Sequence, residues 1–297
     1  MCPPIRGSAL IFTIAQAFSH GGERLGTADE IKAGDALLEL EDIHMHFGKV
    51  AALSGINLAI RKGEIHSVIG PNGAGKTVMM NIINGLYRPQ KGTIRFKGAP
   101  INGLRPHERA KLGLARTFQK VEVFGGMTVL DNIRLGRHVH YKSGILSGAF
   151  YLGKTKKEEI EHRTFIEEEI IDLLEIEQIR HKPVGMLPYG LQKRVELGRA
   201  LALEPELLIL DEPLAGLNLE EVEDMARFIL DVNEEKRWRV TCLLVEHDMG
   251  VVMDLSSRVF VLNFGNMIMD GTPEDVQNNP EVIKAYLGEE DLYATRA

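Results

Sequence analysis

The run Gly70, Pro71, Asn72, Gly73, Ala74, Gly75, Lys76, Thr77 constrains this chain more than any other stretch. It follows the pattern G-x-x-x-x-G-K-[ST], with a short apolar strand (Ile65 to Ile69) before it. After it come apolar residues at helical spacing, Val78, Met79, Ile82 and Ile83, which stop near Gly85. Phosphate oxygens need several converging donors. Consecutive backbone amides supply them where no Cβ blocks the approach, which Gly70, Gly73 and Gly75 allow. A helix N-terminus adds positive potential. On this pattern Lys76 lies along the β- and γ-phosphates, and the Thr77 hydroxyl ligates Mg²⁺.

The flanking segments set the architecture. Alternation at Leu37, Leu38, Leu40 and Ile43 reads as a half-buried strand, and Ile56 to Ile60 as another ending in a turn at Arg61-Lys62-Gly63. Between about 120 and 200 the strand signal fades. There Lys154 to Ile176 reads as a long charged helix with Ile166, Ile170, Leu173 and Leu174 on its apolar face. Short buried strands return at Leu207 to Leu210, Thr241 to Val245 and Arg258 to Leu262, with helices between them. Strands alternating with helices imply a mainly parallel sheet flanked on both faces.

Leu210 is followed by Asp211, Glu212 and Pro213, two acids at the carboxyl end of a buried strand, where ligands of such sheets bind. Asp211 suits Mg²⁺, held through water, because that ion keeps much of its hydration shell. Glu212 is then free to orient and deprotonate an attacking water.

Composition removes several alternatives. The 35 basic and 42 acidic residues give a net charge of −7, which argues against a broad nucleic-acid face. Cys2 and Cys242 have no metal-site spacing and do not make a disulfide framework. The pairs His44/His46 and His138/His140 lack an accompanying acidic or cysteine cluster, so they are read as ordinary side chains. No apolar run approaches the roughly 20 residues of a membrane span. The run Ala9 to Phe18 contains Thr13 and Gln16 and is read as an extra helix or a frayed extension, not a signal core.

Taken together, these motifs resemble the nucleotide-binding subunit of ATP-binding cassette (ABC) transporters over about residues 37 to 288. Arg116-Thr117-Phe118-Gln119 is similar to that family's Q-loop, Ala215 to Asn218 to its D-loop, and Val245-Glu246-His247-Asp248 to its switch-histidine segment. Phe47 stands where the family has an aromatic stacked on adenine. The resemblance implies a P-loop NTPase fold of α/β class, with an antiparallel β edge and an inserted helical subdomain. Residues 37–119 and 201–272 would form the core, 120–200 the helical subdomain and 273–297 a tail, with 1–36 an extension of unknown role.

The family's signature stretch corresponds to Leu187, Pro188, Tyr189, Gly190 and Leu191, with Pro188 in place of a serine that donates to the γ-phosphate of ATP on the opposite subunit. A bond of that kind is worth about 1.5–3 kcal/mol, so its loss would weaken a closed dimer roughly tenfold to a hundredfold if nothing compensates. Gly190 and the helix N-terminus still offer amides, so the site is read as altered but functional.

Leu187-Pro-Tyr-Gly followed by Lys193-Arg-Val-Glu-Leu-Gly-Arg199 is similar to the ATPases of branched-chain amino acid importers. The insertion Gly136 to Arg163 and the tail Asp270 to Gly288 agree with that group. The resemblance implies ATP and Mg²⁺ as cofactors. Phe47, Gly70 to Val78, Tyr189 and Gly190 would be nucleotide contacts, Thr77, Asp211 and Gln119 metal ligands, and Glu212, His247 and Gln119 the catalytic set. It implies partners too: integral-membrane permease subunits, a second cassette (identical or related) and, indirectly, a periplasmic binding protein. The chain would lie on the cytoplasmic face of the inner membrane. The competing readings are another cargo, a regulatory subunit without turnover, and a non-transport ATPase acting on ribosomes or DNA.

Overall fold

The computed structural model describes residues 36–140 and 154–286. The run at Ala9 to Phe18, the middle of the Gly136 to Arg163 insertion and the end of the tail lie outside the described residues. Two sheets carry the fold. The smaller, in the order β2-β1-β4-β5, is antiparallel and comprises β1 (Ala36–Phe47), β2 (Val50–Arg61), β4 (Lys91–Phe96) and β5 (Ala99–Pro100). The larger runs β10-β9-β3-β8-β7-β6. It is built from β3 (Ile65–Ile69), β6 (Leu114–Arg116), β7 (Leu207–Asp211), β8 (Thr241–Val245), β9 (Arg258–Asn263) and β10 (Asn266–Gly271). All neighbours in it are parallel except β10 against β9.

Every residue of β3, β7 and β8 is buried, as expected of parallel strands covered on both faces. The helices that cover them include α1 (Lys76–Asn84), α2 (Pro106–Lys111), α3 (Val129–Gly136), α4 (Lys154–Phe165), α5 (Tyr189–Leu201), α6 (Leu219–Glu234), α7 (Met249–Leu255) and α8 (Pro273–Gln277). One apolar cluster joins Ile133, Ile170, Leu174, Val195 and Leu197 of the helical segment to Leu208, Leu210, Cys242 and Leu244 of the sheet. The helices of 120–200 therefore share a core with the strands that carry the site. Burial among these residues pushes the Cys242 thiol up to about 12.

The long helix expected over Lys154 to Ile176 is not uniform. It is α-helical only to Phe165, widens into a π segment at Ile166–Ile171, and ends at Glu175 with φ at +55°. The wider turn lets the consecutive Ile170 and Ile171 both enter the core beside Ile166 and Leu174, which a regular 3.6-residue period separates.

Among the described residues Arg109 is the largest fully buried side chain, only 1% exposed. Its guanidinium donates to the carbonyls of Ile82 (2.7 Å), Ile83 (2.6 Å), Ile101 (2.8 Å) and Leu104 (3.1 Å). The first two are end-of-helix carbonyls of α1, of which that of Ile82 also accepts the Gly85 amide at 3.1 Å. Burial pushes the guanidinium down to about 10, so it stays charged at neutral pH. Arg109→Ala should cost about 3 kcal/mol by stripping the charged donor from these buried carbonyls, of which only those of Ile82 and Ile101 keep an amide partner, from Gly85 and Leu104. A urea midpoint unchanged from the parent would show that the tie is dispensable.

Candidate functional site

The phosphate loop leaves β3 at Gly70 and enters α1 at Lys76. Its shape depends on missing side chains at two positions. A Cβ on Gly70 (φ +147°) would lie 2.1 Å from the Leu262 carbonyl, and one on Gly75 (φ +108°) 2.6 Å from that of Ala52. The loop is also held from outside, since Gly265 in the β9–β10 turn donates its amide to the Ala74 carbonyl at 2.9 Å. No side chain caps α1 and no acid occupies its first turn, which leaves its N-terminal end suited to an anion. Lys76 is buried and folds back over the loop, donating to the carbonyls of Gly70 and of Pro71, the latter at 3.0 Å. Phe47, at the end of β1, is 44% exposed and meets Tyr87 edge-on at 5.4 Å between ring centres.

At the carboxyl end of the larger sheet, three residues from separate segments converge. The Gln119 amide donates to one oxygen of Glu212 at 2.7 Å, and Nε2 of His247 stands 2.8 Å from the other. The Glu212 backbone is left-handed, φ +50°, a conformation that costs a non-glycine residue of order 1–3 kcal/mol and persists only where its surroundings enforce it. Asp211 is engaged otherwise. Its carboxylate accepts from Arg116 at 2.7 Å, and Arg116 also donates to Asn81 of α1 at 2.7 Å.

The Leu187 to Leu191 stretch packs against the segment that follows Glu212. Pro188 is the N-cap of α5 (the residue before its first turn), and no side chain caps that end. The Tyr189 ring packs on Gly216, where a Cβ would come within 3.1 Å of it. A Cβ on Gly190 would fall 2.2 Å from Oε1 of Glu221, a side chain that also closes the capping box of α6. The signature segment thus rests directly on the residues that follow Glu212.

Three charged residues here were missed as site features by the sequence reading. Lys193, Glu196 and Glu246 are each about 4% exposed. Lys193 donates to the carbonyls of Glu212 (2.8 Å) and Pro213 (2.9 Å). Glu196 accepts from the amides of Phe118 and Glu122, both at 3.3 Å. Glu246 accepts from the amides of Leu214 (2.8 Å) and His247 (3.1 Å). Burial pushes both carboxyls above the usual range, so each favours folding most on the acid side and less as pH rises through its folded-state value. The signal in the sequence was that Lys193 and Glu196 interrupt the helical stripe of Gly190, Leu197 and Leu201, which faces the core.

Comparison with known proteins agrees with this geometry. The family model "ABC transporter" matches residues 53–215, and "Branched-chain amino acid ATP-binding cassette transporter" matches residues 266–291. The chain is 40% identical over 256 residues to the high-affinity branched-chain amino acid transport ATP-binding protein BraF of Pseudomonas aeruginosa, covering 85% of this chain and 98% of the relative. A solved ATP-binding cassette of an ABC transporter in its ADP conformation superposes with TM-score 0.73 at 30% identity, covering 85% of this chain and 99% of that one. A dimeric cassette in a post-hydrolysis state, bound to ADP and Pi, gives TM-score 0.66 at 26% identity, covering 80% and 98%. Among the described residues no helix is long and apolar enough to cross a membrane. The α/β fold of a P-loop NTPase, its phosphate loop and these matches agree: the chain belongs to the ABC transporter family, as one of its ATP-binding, ATP-hydrolysing subunits.

Proposed function

We propose that this ATPase powers import of branched-chain amino acids through separate integral-membrane permease subunits, from the cytoplasmic face of the membrane. The observation that carries the catalytic part is the convergence of Gln119 and His247 on the two oxygens of Glu212, downstream of a complete phosphate loop. In this reading Phe47 supports the adenine, and the amides from Gly70 to Val78 with Lys76 hold the phosphates. Glu212 takes a proton from the attacking water. His247 and Gln119 hold its carboxylate in line, and Gln119 reports the state of the γ-phosphate to the helical segment. The name of the relative and the tail match at residues 266–291 support the cargo.

The donors near the site suit Mg²⁺. Thr77, Asp211 and Gln119 offer hard oxygen ligands: Arg116 takes Oδ2 of Asp211 and leaves Oδ1, and the side-chain oxygen of Gln119 is not the atom spent on Glu212. Among the described residues no group of three His, Cys, Asp or Glu could hold a metal by itself. That fits an ion bound largely through nucleotide phosphates. When bound, it would neutralise charge on the phosphate oxygens.

We infer that the phosphate loop and the signature helix of one chain do not enclose a nucleotide between them. Two cassettes would therefore meet head-to-tail with ATP between Lys76 of one and Tyr189 and Gly190 of the other. The dimeric cassette among the structural relatives supports this arrangement. Uptake of radiolabelled leucine by the reconstituted complex, dependent on ATP, tests the cargo. Uptake of an unrelated solute instead would replace it.

Pro188→Ser adds a hydroxyl donor at the N-cap of α5 and should tighten the ATP-bound dimer about tenfold or more. The same hydroxyl would cap α5 in the lone chain. The measurement is therefore dimer affinity by analytical ultracentrifugation, not thermal stability. An unchanged dimer constant would mean that the missing donor is already compensated.

A further inference from the structure

The left-handed backbone of Glu212 raises the question of what enforces it. Its amide donates to the Val245 carbonyl at 2.9 Å, which fixes one side of the residue to β8. Its carbonyl, and that of Pro213, are taken by the buried ammonium of Lys193, four residues into α5. The next amide along the chain, that of Leu214 (Pro213 has none), is held by Glu246, whose carboxylate also takes the amide of His247. Two buried side chains thus grip the backbone from the Glu212 carbonyl to the Leu214 amide, and one of them grips His247 as well.

We propose that Lys193 is a positioning residue for the hydrolytic carboxylate: its ammonium holds the Glu212 and Pro213 carbonyls so that Glu212 keeps its left-handed backbone and meets Gln119 and His247. This rests on the reading of Glu212 as the general base. The groups that face the ammonium are Glu246 on β8's end, Glu196 on its own helix and Glu212 itself. Beside it is a cavity of about 10 Å³, lined by Thr117, Glu196, Leu197, Leu210 and Pro213, with room for about one water. The Thr117 hydroxyl is buried there without a hydrogen-bond partner in the protein. An apolar side chain at 193 leaves the Pro213 carbonyl without the ammonium and the Glu212 carbonyl with the Ala215 amide at 3.2 Å in its place.

The position of Lys193 has a second consequence. It sits one turn below Tyr189 and Gly190, with its ammonium 5.5 Å from the Tyr189 ring centre. The helix whose N-terminus would meet the opposite subunit's ATP is therefore fastened, through one side chain, to the backbone of the base. Closure of the dimer would set the water-activating residue in the other half-site through this tie.

The test is steady-state ATPase of the full chain carrying Lys193→Met, Lys193→Gln and Lys193→Arg. A displacement of about 1 Å at a reacting group can cost 10²-fold in rate. The expected result is a kcat 10- to 100-fold lower for Met, an intermediate loss for Gln, whose amide serves one carbonyl well, and near-parental kcat for Arg, which can serve both. The KM for ATP should move less than about twofold across the series. A Lys193→Met/Glu212→Gln double variant should form the ATP-dependent dimer as tightly as Glu212→Gln alone, placing the loss in chemistry and not in assembly. Parental kcat in both Met and Gln, failure of Arg to restore it, or a dimer lost in the double variant would each overturn the proposal. If Met does not fold, the comparison of Gln with Arg decides it. Parental turnover in Glu212→Gln alone would instead remove the base reading on which the proposal stands.

Discussion

Glu212→Gln is expected to lose turnover by about 10²–10⁴-fold while ATP still binds, the range that general-base assistance supplies. The carboxamide is nearly isosteric but cannot take a proton from water. The present carboxylate receives the Gln119 amide on one oxygen and faces Nε2 of His247 with the other. A carboxamide can keep both contacts, its oxygen accepting from Gln119 and its NH2 donating to a neutral His247 protonated at Nδ1, so the geometry survives while the base is lost. The proposed nucleotide contacts, at Phe47, the phosphate loop and Tyr189 with Gly190 of the opposite subunit, are untouched, so the variant should accumulate as an ATP-bound dimer. Single-turnover hydrolysis and the ATP dependence of elution volume measure the two halves of this expectation. Hydrolysis at the parental rate would exclude Glu212 as the base.

Lys76→Ala should weaken nucleotide binding by about 10²-fold, the scale of losing a hydrogen bond between charged groups. Two effects combine. The ammonium that would meet the β- and γ-phosphates is gone, and so are its bonds to the Gly70 and Pro71 carbonyls that hold the loop's curvature. Fluorescence titration with a labelled ATP analogue reads the affinity, and an unchanged Kd would place nucleotide elsewhere. The folded state should survive, because Gly265 still holds the loop at Ala74 and the strand before it is wholly buried.

What could be read from the residues and what could not divides by distance along the chain. The strand Ile65–Ile69, the turn into α1 and its end at Gly85 are local, set by apolar run, glycine and period, and the sequence reading placed them closely. β7, β8 and β9 were legible for the same reason, as short apolar runs. β6 was not: three residues at the sheet's edge carry no periodicity, and Leu114–Arg116 becomes a strand only because β7 lies beside it. β4 was missed because Lys91, Gly92, Thr93 and Arg95 dilute its pattern, and its order comes from pairing with β1. The meeting of Gln119 with Glu212 spans 93 positions, and only the family resemblance brought the two into one site beforehand. Lys193 and Glu246 were quoted merely as letters of motifs. Their work on main-chain carbonyls and amides appears only when α5, β7 and β8 are assembled.

The crowding at Gly190 bears on how such a site can drift or be redesigned. Position 188 contributes a cap with an open choice of side chain, so exchange there tunes the grip between subunits by degrees. Position 190 has no such latitude. Any replacement must first evict the Glu221 carboxylate that closes another helix, so a change meant for the nucleotide would be felt at the first turn of α6. Of these two near neighbours, one is a dial and the other is a keystone.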